Sequence, residues 1–532
     1  MKAQKSPGPG GLATAVFYQI YPQSFYDANG DGIGDLAGII AKLDYIKSLR
    51  CTAIWLNPIF DSPFGDAGYD VRDFRKVAPR YGTNADLKCL FKEAHSRNLH
   101  VVLDLVAGHT SVEHPWFKAS AKATRNRYSD YYIWTSSVWQ NAAGLPQVNG
   151  YSNRDGNYVT NFFWFQPALN YGFAKPDPAQ TWQQPLDAPG PRAVKAELKT
   201  MMQFWLDQGC DGFRVDMASS LIRNDPGGYG IKNFWREIRG WLDKDYPEAV
   251  LISEWSNPKQ AIGAGFHVDF MIHCGEPAYQ MLCNPWGEVR GGTKVHGGYF
   301  HREKPDNLEG FLSNYLAHYR ATRKAGFISL PTGNHDFARF GHGRSNAEQR
   351  VFYALLLTMP GVPFIYYGDE IGLPFQEGLT SKEGAYSRTG TRTPMQWKNG
   401  RNAGFSKAAA KRLYLPVQTR TDRPTVESAE ANPDSLLHLV RHLLALRCKY
   451  DALGNLGAFK PLRMEGGAVN VPFVYQRGKG KKAIVVAINS SSKIIRATLP
   501  LEVARKPLLA ENVEVIGRNL CMQPVSYGVF SV

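Results

Sequence analysis

Carboxyls, imidazoles and cations do acid–base and nucleophilic chemistry only where they meet, and four short stretches of this chain are dense in them. DLVAGH runs from Asp104 to His109, DGFRVD from Asp211 to Asp216, LISE from Leu251 to Glu254, and GNHD from Gly333 to Asp336. Arg214 and Asp216 are two apart, so on a strand both side chains leave the same face. A guanidinium beside a carboxyl favours its ionised, nucleophilic form. A proton donor needs the opposite, a carboxyl raised by burial and by negative neighbours. Singly, each residue reads as a structural ion pair or a core histidine. Together, in order, they read as one acid–base site.

Such residues must be carried on elements that converge. Short apolar or β-branched runs occur at Ala15–Tyr21, Ala53–Asn57, His100–Val106, Gly212–Asp216, Val250–Glu254, Val268–Ile272, Phe327–Thr332 and Pro363–Tyr367. Amphipathic stretches lie between them: Gly38–Leu49, Ala85–Arg97, Ala193–Gln208, Ile231–Leu242, Leu308–Arg323 and Ala347–Thr358. Near-continuous apolar strands alternating with helices predict a parallel sheet buried on both faces. Eight repeats predict a (β/α)8 TIM barrel, whose site is built at the C-terminal ends of its strands. The alternative, an open doubly wound sheet, lacks its glycine-rich first turn here. The four stretches all fall at strand ends.

The barrel is expected over residues 1–109 and 186–450. Residues 110–185, rich in Trp, Tyr, Asn and Gly, are too long for a plain loop and predict an inserted irregular subdomain. After Ser435–Tyr450, a predicted helix, residues 451–532 alternate between apolar and polar. There Val469–Gln476, Lys482–Asn489, Ile495–Leu501 and Ser526–Val532 predict a C-terminal antiparallel β-sandwich.

Composition narrows the partners. Of 532 residues, 43% are hydrophobic and 20% charged, which is globular. The net charge of +15 raises nucleic acid or an anionic membrane as partners. The basic residues are spread out, however, with Arg477 to Lys482 the densest group, so a solvated surface is the expectation. Aromatic residues at 12% suit the flat apolar faces of sugars. Seven cysteines without CxxC spacing argue against zinc or a disulfide framework. The first dozen residues read as a loose tail without the apolar core of a signal peptide, and no run of 18 apolar residues occurs. A cytoplasmic location is expected, with a small-molecule substrate and neither nucleic acid nor membrane as partner.

The four stretches, extended to DLVAGHTS, DGFRVDMAS, LISEWSNP and GNHDFAR, resemble the signature regions of the α-amylase family of glycoside hydrolases. Supporting matches are GYD at Gly68–Asp70, QPALN at Gln166–Asn170 and RTPMQW at Arg392–Trp397. The last two, with DANGDGIGD from Asp27 to Asp35, resemble the oligo-1,6-glucosidase and α-glucosidase branch. The resemblance implies Asp216 as nucleophile, Glu254 as general acid/base and Asp336 as transition-state stabiliser. It implies that His109 and His335 bind glucose hydroxyls, and that Asp70, beside Tyr69, pairs with Arg392 to close the pocket. Gln166, Phe163 and Trp164 would line the pocket or the next subsite.

No catalytic cofactor is implied. A structural calcium (or magnesium) ion is, held by Asp27, Asn29, Asp31, the Ile33 carbonyl and Asp35. Gly38 stands at the twelfth position in place of Glu, so the loop is no EF-hand. The activity implied is a retaining, exo-acting α-glucosidase on short malto- or isomalto-oligosaccharides. The alternatives are a transglycosylase or isomerase acting on trehalose, maltose or sucrose, and a non-catalytic binding relative of the same fold. Two residues depart from the family. Gly108 replaces an Asn and is expected to loosen the loop of His109 unless another group fills the space. Met217 replaces a Val or smaller residue and leaves the linkage preference open.

Overall fold

The computed structural model describes residues 10–272, 278–283, 289–290, 293–294, 298–300, 308–464 and 471–532. Eight parallel strands form the central sheet: β1 Phe17–Ile20, β2 Ala53–Leu56, β3 His100–Leu105, β4 Gly212–Val215, β5 Val250–Ser253, β6 Val268–Phe270, β7 Phe327–Ser329 and β8 Phe364–Tyr366. Their spatial order follows the chain, and β1 pairs β8 with Phe17 opposite Phe364. The last gap closes just beyond β7, where Pro331 bridges Phe364. This is the expected barrel. All eight predicted runs contain their strand, and apart from the strand-starting His100 and Val250 every strand residue is buried.

Aromatic rings fill the interior below the site. Phe17 stacks on Phe364 at 4.4 Å, Phe270 meets Phe364 edge-on at 4.7 Å, and Trp55 tilts against Phe270 at 5.7 Å. The outer ring contains α1 Leu36–Ala41, α2 Leu43–Ser48, α3 Asn84–Ser96, α4 Pro189–Leu206, α5 Tyr229–Asp245, α6 Pro258–Gly263, α7 Leu308–Thr322, α8 Asn346–Thr358 and α9 Leu436–Lys449. Helix α3 begins at a capping box between Thr83 and Asp86 and buries Leu87, Leu90, Phe91 and Ala94, one face of a 3.6-residue repeat. The single helix expected over Gly38–Leu49 is two, broken at Lys42, whose ammonium lies 4.3 Å from both the Tyr26 and Trp397 rings.

Between β3 and α4 the chain forms a short helix, Pro115–Ser120, and a small ladder of Gln147–Val148 with Tyr158–Val159. A separate core of Ile133, Ala142, Val159, Ala168, Phe173 and Trp182 holds it together. It is tied to the end of β3 by a bridge from His109 to Ala168.

The C-terminal strands are β9 Phe459–Leu462, β10 Phe473–Arg477, β11 Ile484–Asn489, β12 Ile495–Thr498, β13 Leu509–Ile516 and β14 Asn519–Ser531. The expected sandwich is one connected antiparallel sheet, because the long β14 pairs β12 with its first half and β11 with its second. Val485 and Ala487 join Leu520 and Met522 in the sheet's own core, while Ile484, Val486 and Ile488 join the barrel core. The expected strand Val469–Gln476 begins outside the described residues, as does most of the expected N-terminal tail.

Arg477, from the densest basic group, is fully buried and donates to the Thr358 and Gly454 carbonyls, so it fastens the sheet to the barrel. Among the described residues no helix is long and apolar enough to cross a membrane, and the described cysteines are free.

Candidate active site

Arg214, near the end of β4, organises the mouth of the barrel. Its Nη1 donates to Asp104 Oδ1 and Asp216 Oδ1, each at 2.9 Å, and its Nη2 lies 2.8 Å from Glu254 Oε1. The guanidinium rests 5.0 Å from the Trp55 ring, and the Trp55 indole N–H donates to Asp104 Oδ2 at 3.2 Å. Three carboxyls, Asp104 and Asp216 buried and Glu254 only slightly exposed, thus share one cation. Burial pushes Asp216 and Glu254 up to about 7 and Asp104 up to about 6, against the pull of Arg214. The charge of Asp216 adds to the rise of Glu254. Such a cluster keeps a proton near neutral pH.

Met217, directly after Asp216, has φ 44°, the left-handed region that residues with a side chain seldom enter. The strain has a return, because its N–H donates to Glu254 Oε2 at 3.0 Å.

The loop after β7 brings His335 and Asp336. His335 Nδ1 faces the amides of Gln19 at 3.1 Å and Asn57 at 3.2 Å, and Nε2 is 2.7 Å from the Tyr69 hydroxyl. Both amide groups are donors, so the ring proton is on Nε2. Burial holds His335 well below its usual range, hence neutral. Tyr69 stacks on this imidazole at 5.5 Å and donates to Asp104 Oδ2 at 3.0 Å, joining the two halves of the mouth. Asp336 Oδ1 accepts from Arg388 at 2.7 Å and from Arg392 at 3.2 Å.

The expected pairing of Asp70 with Arg392 is corrected. Asp70 turns into its own loop, accepting from Ser62 Oγ at 2.9 Å and from the Gly65 and Asp66 amides at 2.8 and 3.0 Å. The carboxyl facing the arginines is Asp66, 3.9 Å from Arg388 and pushed up to about 6 by burial despite Arg392. Gln166 steadies it, donating to Asp66 Oδ2 at 2.8 Å and accepting the Phe163 N–H at 2.8 Å. Phe163 stacks on Phe165 and leans toward Tyr386, with Phe162 and Trp164 exposed beside it.

Sequence reasoning missed Arg388, Asp66 and Asn161. The one available signal was for Asp66, an acid four residues ahead of Asp70 in the same turn-rich stretch.

His109 has both ring nitrogens engaged within the protein, Nε2 with the Tyr69 carbonyl at 3.1 Å and Nδ1 with Asn161 Nδ2 at 3.0 Å. Burial lowers it to about 4. The space beside Gly108 is filled, for a Cβ there would fall 2.6 Å from Asn161 Nδ2. The loosening expected from the missing Asn is thereby offset.

The Asp27–Asp35 loop stands after β1, away from these groups in the chain. Asp27 accepts from the Gly30 and Gly32 amides at 2.7 and 2.8 Å, and Asp35 accepts from Ala28, Asn29 and Gly38. Asn29 and Asp31 close the turns that follow them. Gly32 is obligatory there, since a Cβ would strike the Arg412 carbonyl at 2.1 Å. With the Ile33 carbonyl, the donors are all hard oxygens, the set calcium takes.

A parallel barrel with carboxyls at the C-terminal strand ends is a frame that can carry glycoside hydrolysis. Residues 19–455 match the catalytic domain of alpha amylase, and the chain belongs to the α-amylase family. It is 30% identical to the oligo-1,6-glucosidase of Heyndrickxia coagulans, over 97% of this chain and 98% of that protein. It is 32% identical to the trehalose synthase/amylase TreS of Mycolicibacterium smegmatis, over 90% of this chain and 84% of that one. Among solved structures, an isomaltulose synthase mutant from Erwinia rhapontici NX5 in complex with sucrose superposes with TM-score 0.81 at 26% identity, covering 98% and 99% of the two chains. The enzyme is accordingly of the glycoside hydrolase type and acts on α-glucosides.

Proposed function

We propose that this enzyme is a retaining, exo-acting α-glucosidase on short malto- or isomalto-type α-glucosides. The observation carrying the reading is the shared guanidinium. Inverting enzymes hold two carboxyls about 6.5–9.5 Å apart to admit a water, and retaining ones about 5–5.5 Å. Asp216 and Glu254 are held by one guanidinium, at 2.9 and 2.8 Å from its two terminal nitrogens, and this common tether supports the closer spacing.

In this reading ionised Asp216 attacks the anomeric carbon while the glycosidic bond breaks, and Glu254 gives its proton to the departing oxygen. A glucosyl ester on Asp216 results. Water then attacks the same carbon, loses a proton to Glu254 and frees Asp216. One proton shared by two carboxyls that burial has raised to about 7 is the charge state the first step requires. Asp336, held by Arg388 and Arg392 and steadied by neutral His335, whose Nε2 is 3.1 Å from its Oδ2, would bind hydroxyls of the glucose more tightly as the ring flattens. Asp66 with Arg392 would close the far end of the pocket, so a substrate enters by its non-reducing end. The Asp27–Asp35 loop would hold calcium (or magnesium), a structural charge that ties the turn together without touching the reacting atoms.

A second reading, glucosyl transfer or isomerisation, is favoured by the rim. Phe162, Trp164 and Tyr386 are 54%, 59% and 64% exposed beside Phe163. Such rings can hold a released sugar next to the glucosyl-enzyme. Products from maltose, isomaltose, trehalose and sucrose discriminate. Glucose release supports the glucosidase, and new disaccharides without net glucose release overturn it.

A further inference from the structure

The side-chain amide of Asn161, in the inserted segment, touches groups on both sides of the pocket floor. Its Nδ2 lies 3.0 Å from His109 Nδ1 and 3.7 Å from Met217 Sδ, and its Oδ1 accepts from Arg223 Nη2 at 3.0 Å. It also fills the room that a side chain at position 108 would need. We infer that Asn161 is a positioning residue for the glucoside reaction, and that glycine at 108 is the condition for its reaching His109. The inference rests on the glycosidase reading of the mouth.

The orientation of the amide is forced. A guanidinium only donates, so Oδ1 must face Arg223 and the N–H groups must face His109 and Met217. His109 Nδ1 is then an acceptor and its proton is on Nε2, which donates to the Tyr69 carbonyl. That carbonyl belongs to the residue whose ring stacks on His335 and whose hydroxyl reaches Asp104. Burial and the Arg223 charge both keep His109 neutral, so the tautomer does not change across the working pH range.

The second contact falls on Met217. This residue joins Asp216 to the N–H that holds Glu254, in a backbone conformation that needs support from its surroundings. One amide therefore bears on the imidazole at the end of β3 and on the turn between nucleophile and acid. Arg223 is the anchor; the bond to Asn161 Oδ1 is what aligns it.

The test compares Asn161→Ala, Asn161→Asp, Gly108→Ala and the Gly108→Ala/Asn161→Ala pair, each scored for kcat, KM and Tm on whichever α-glucoside the parent turns over. Asn161→Ala should lower kcat about tenfold or more with KM changed less than about threefold, since sub-ångström misplacement acts on the chemical step. Asn161→Asp keeps the volume and the bond to Arg223 but loses the donor, and should fall as far. Gly108→Ala pushes the amide aside and should cost as much as Asn161→Ala, while the double variant costs no more than either.

Full activity in Asn161→Asp, or additive losses in the double variant, would overturn the inference. So would a fall in Tm with kcat per folded enzyme unchanged. Nitrogen NMR shifts of His109 supply a readout independent of turnover: an Nε2–H imidazole in the parent, altered in Asn161→Asp. Identical shifts in the two would also count against it, whereas a parent inactive on every α-glucoside would tell only against the glycosidase reading.

Discussion

The two rims of the barrel each set carboxyl groups among nitrogen-bearing side chains, and burial makes them opposites. At the C-terminal rim, side chains of Arg214, Asp104, Asp216 and Glu254 are between 0% and 13% exposed, and every carboxyl is raised. At the N-terminal rim, Asp211 accepts from His95 at 2.7 Å, from His100 at 3.0 Å and from the Val101 amide at 2.7 Å. Burial raises Asp211 too, but there those hydrogen bonds outweigh it and its pKa is lowered. His100, bonded to Asp211, is raised. Asp104 also has three donors, Arg214, Trp55 and Tyr69, so the difference lies in deeper burial and in the neighbouring carboxyls at the mouth. The bottom is stabilised by its ionisation, while the mouth bears a cost for holding groups ready to react.

The largest effect should come from removing the proton donor. Glu254→Gln is expected to lower kcat on a natural α-glucoside by about 10³-fold or more. The same change should raise stability at alkaline pH. A carboxyl raised by folding binds its proton more tightly in the native state, so stability falls as pH rises from its ordinary 4.5 through about 7. Gln carries no such cost, and thermal scans near pH 8 should show a higher Tm than the parent. A lower Tm there would mean that the mouth is not strained by its charge.

The two aspartates after β2 divide along the same line. Asp66→Asn leaves its fold contacts largely intact and should raise KM about tenfold, as expected for losing a charged hydrogen bond to substrate. Asp70→Asn turns the oxygen that accepts the Gly65 amide into a donor facing a donor, and should lower Tm with a smaller change in KM. The reverse pattern would return Asp70 to the pocket.

The pH profile of kcat/KM follows from the same cluster. Fully protonated, the mouth has no nucleophile, and fully ionised it has no acid, so the profile should be a bell centred near neutrality. Its apparent values belong to the Asp216–Glu254 pair jointly. A plateau reaching well above pH 8 would show that the donor is not a carboxyl of this cluster.

This division also explains what the sequence made legible. Barrel strands buried on both faces read as apolar runs, and residues at their ends inherit a position from the strand, so Arg214, Asp216, Glu254 and Asp336 could be placed together. Asp66 and Asp70 are four apart in a loop with no periodicity. The choice between them is made by a turn at Ala67 and Gly68, with φ 51° and 102°, that folds Asp70 back on the preceding amides. Arg388, on the 3-10 helix Tyr386–Thr391, and Asn161, in the inserted segment, meet the site from far along the chain, and no spacing announces such meetings. Strand β13 escaped notice because, as an edge strand, it buries only Val515 and is interrupted by a bulge at Asn512.

The smallest expected effect belongs to the bottom rim, and it sharpens the contrast by its sign. His100 has its folded pKa raised above 6.5, so its contribution is present below 6.5 and disappears as pH rises through the folded value. Asp211, lowered from 3.8, contributes above 3.8 and loses that contribution as pH falls through its folded value. The pair is therefore worth most between these limits. The His100 ring is 58% exposed, and exposed pairs of this kind are screened to well under about 1 kcal/mol. His100→Ala should lower Tm by about a degree near pH 5.5 and by less near pH 8.5, with the difference shrinking in high salt. Because the rim lies at the opposite end of the strands from Arg214, kcat should not move. A change in kcat would mean that the two ends of the barrel are mechanically coupled, and a loss that grew with pH would mean that the imidazole works by packing, not by charge.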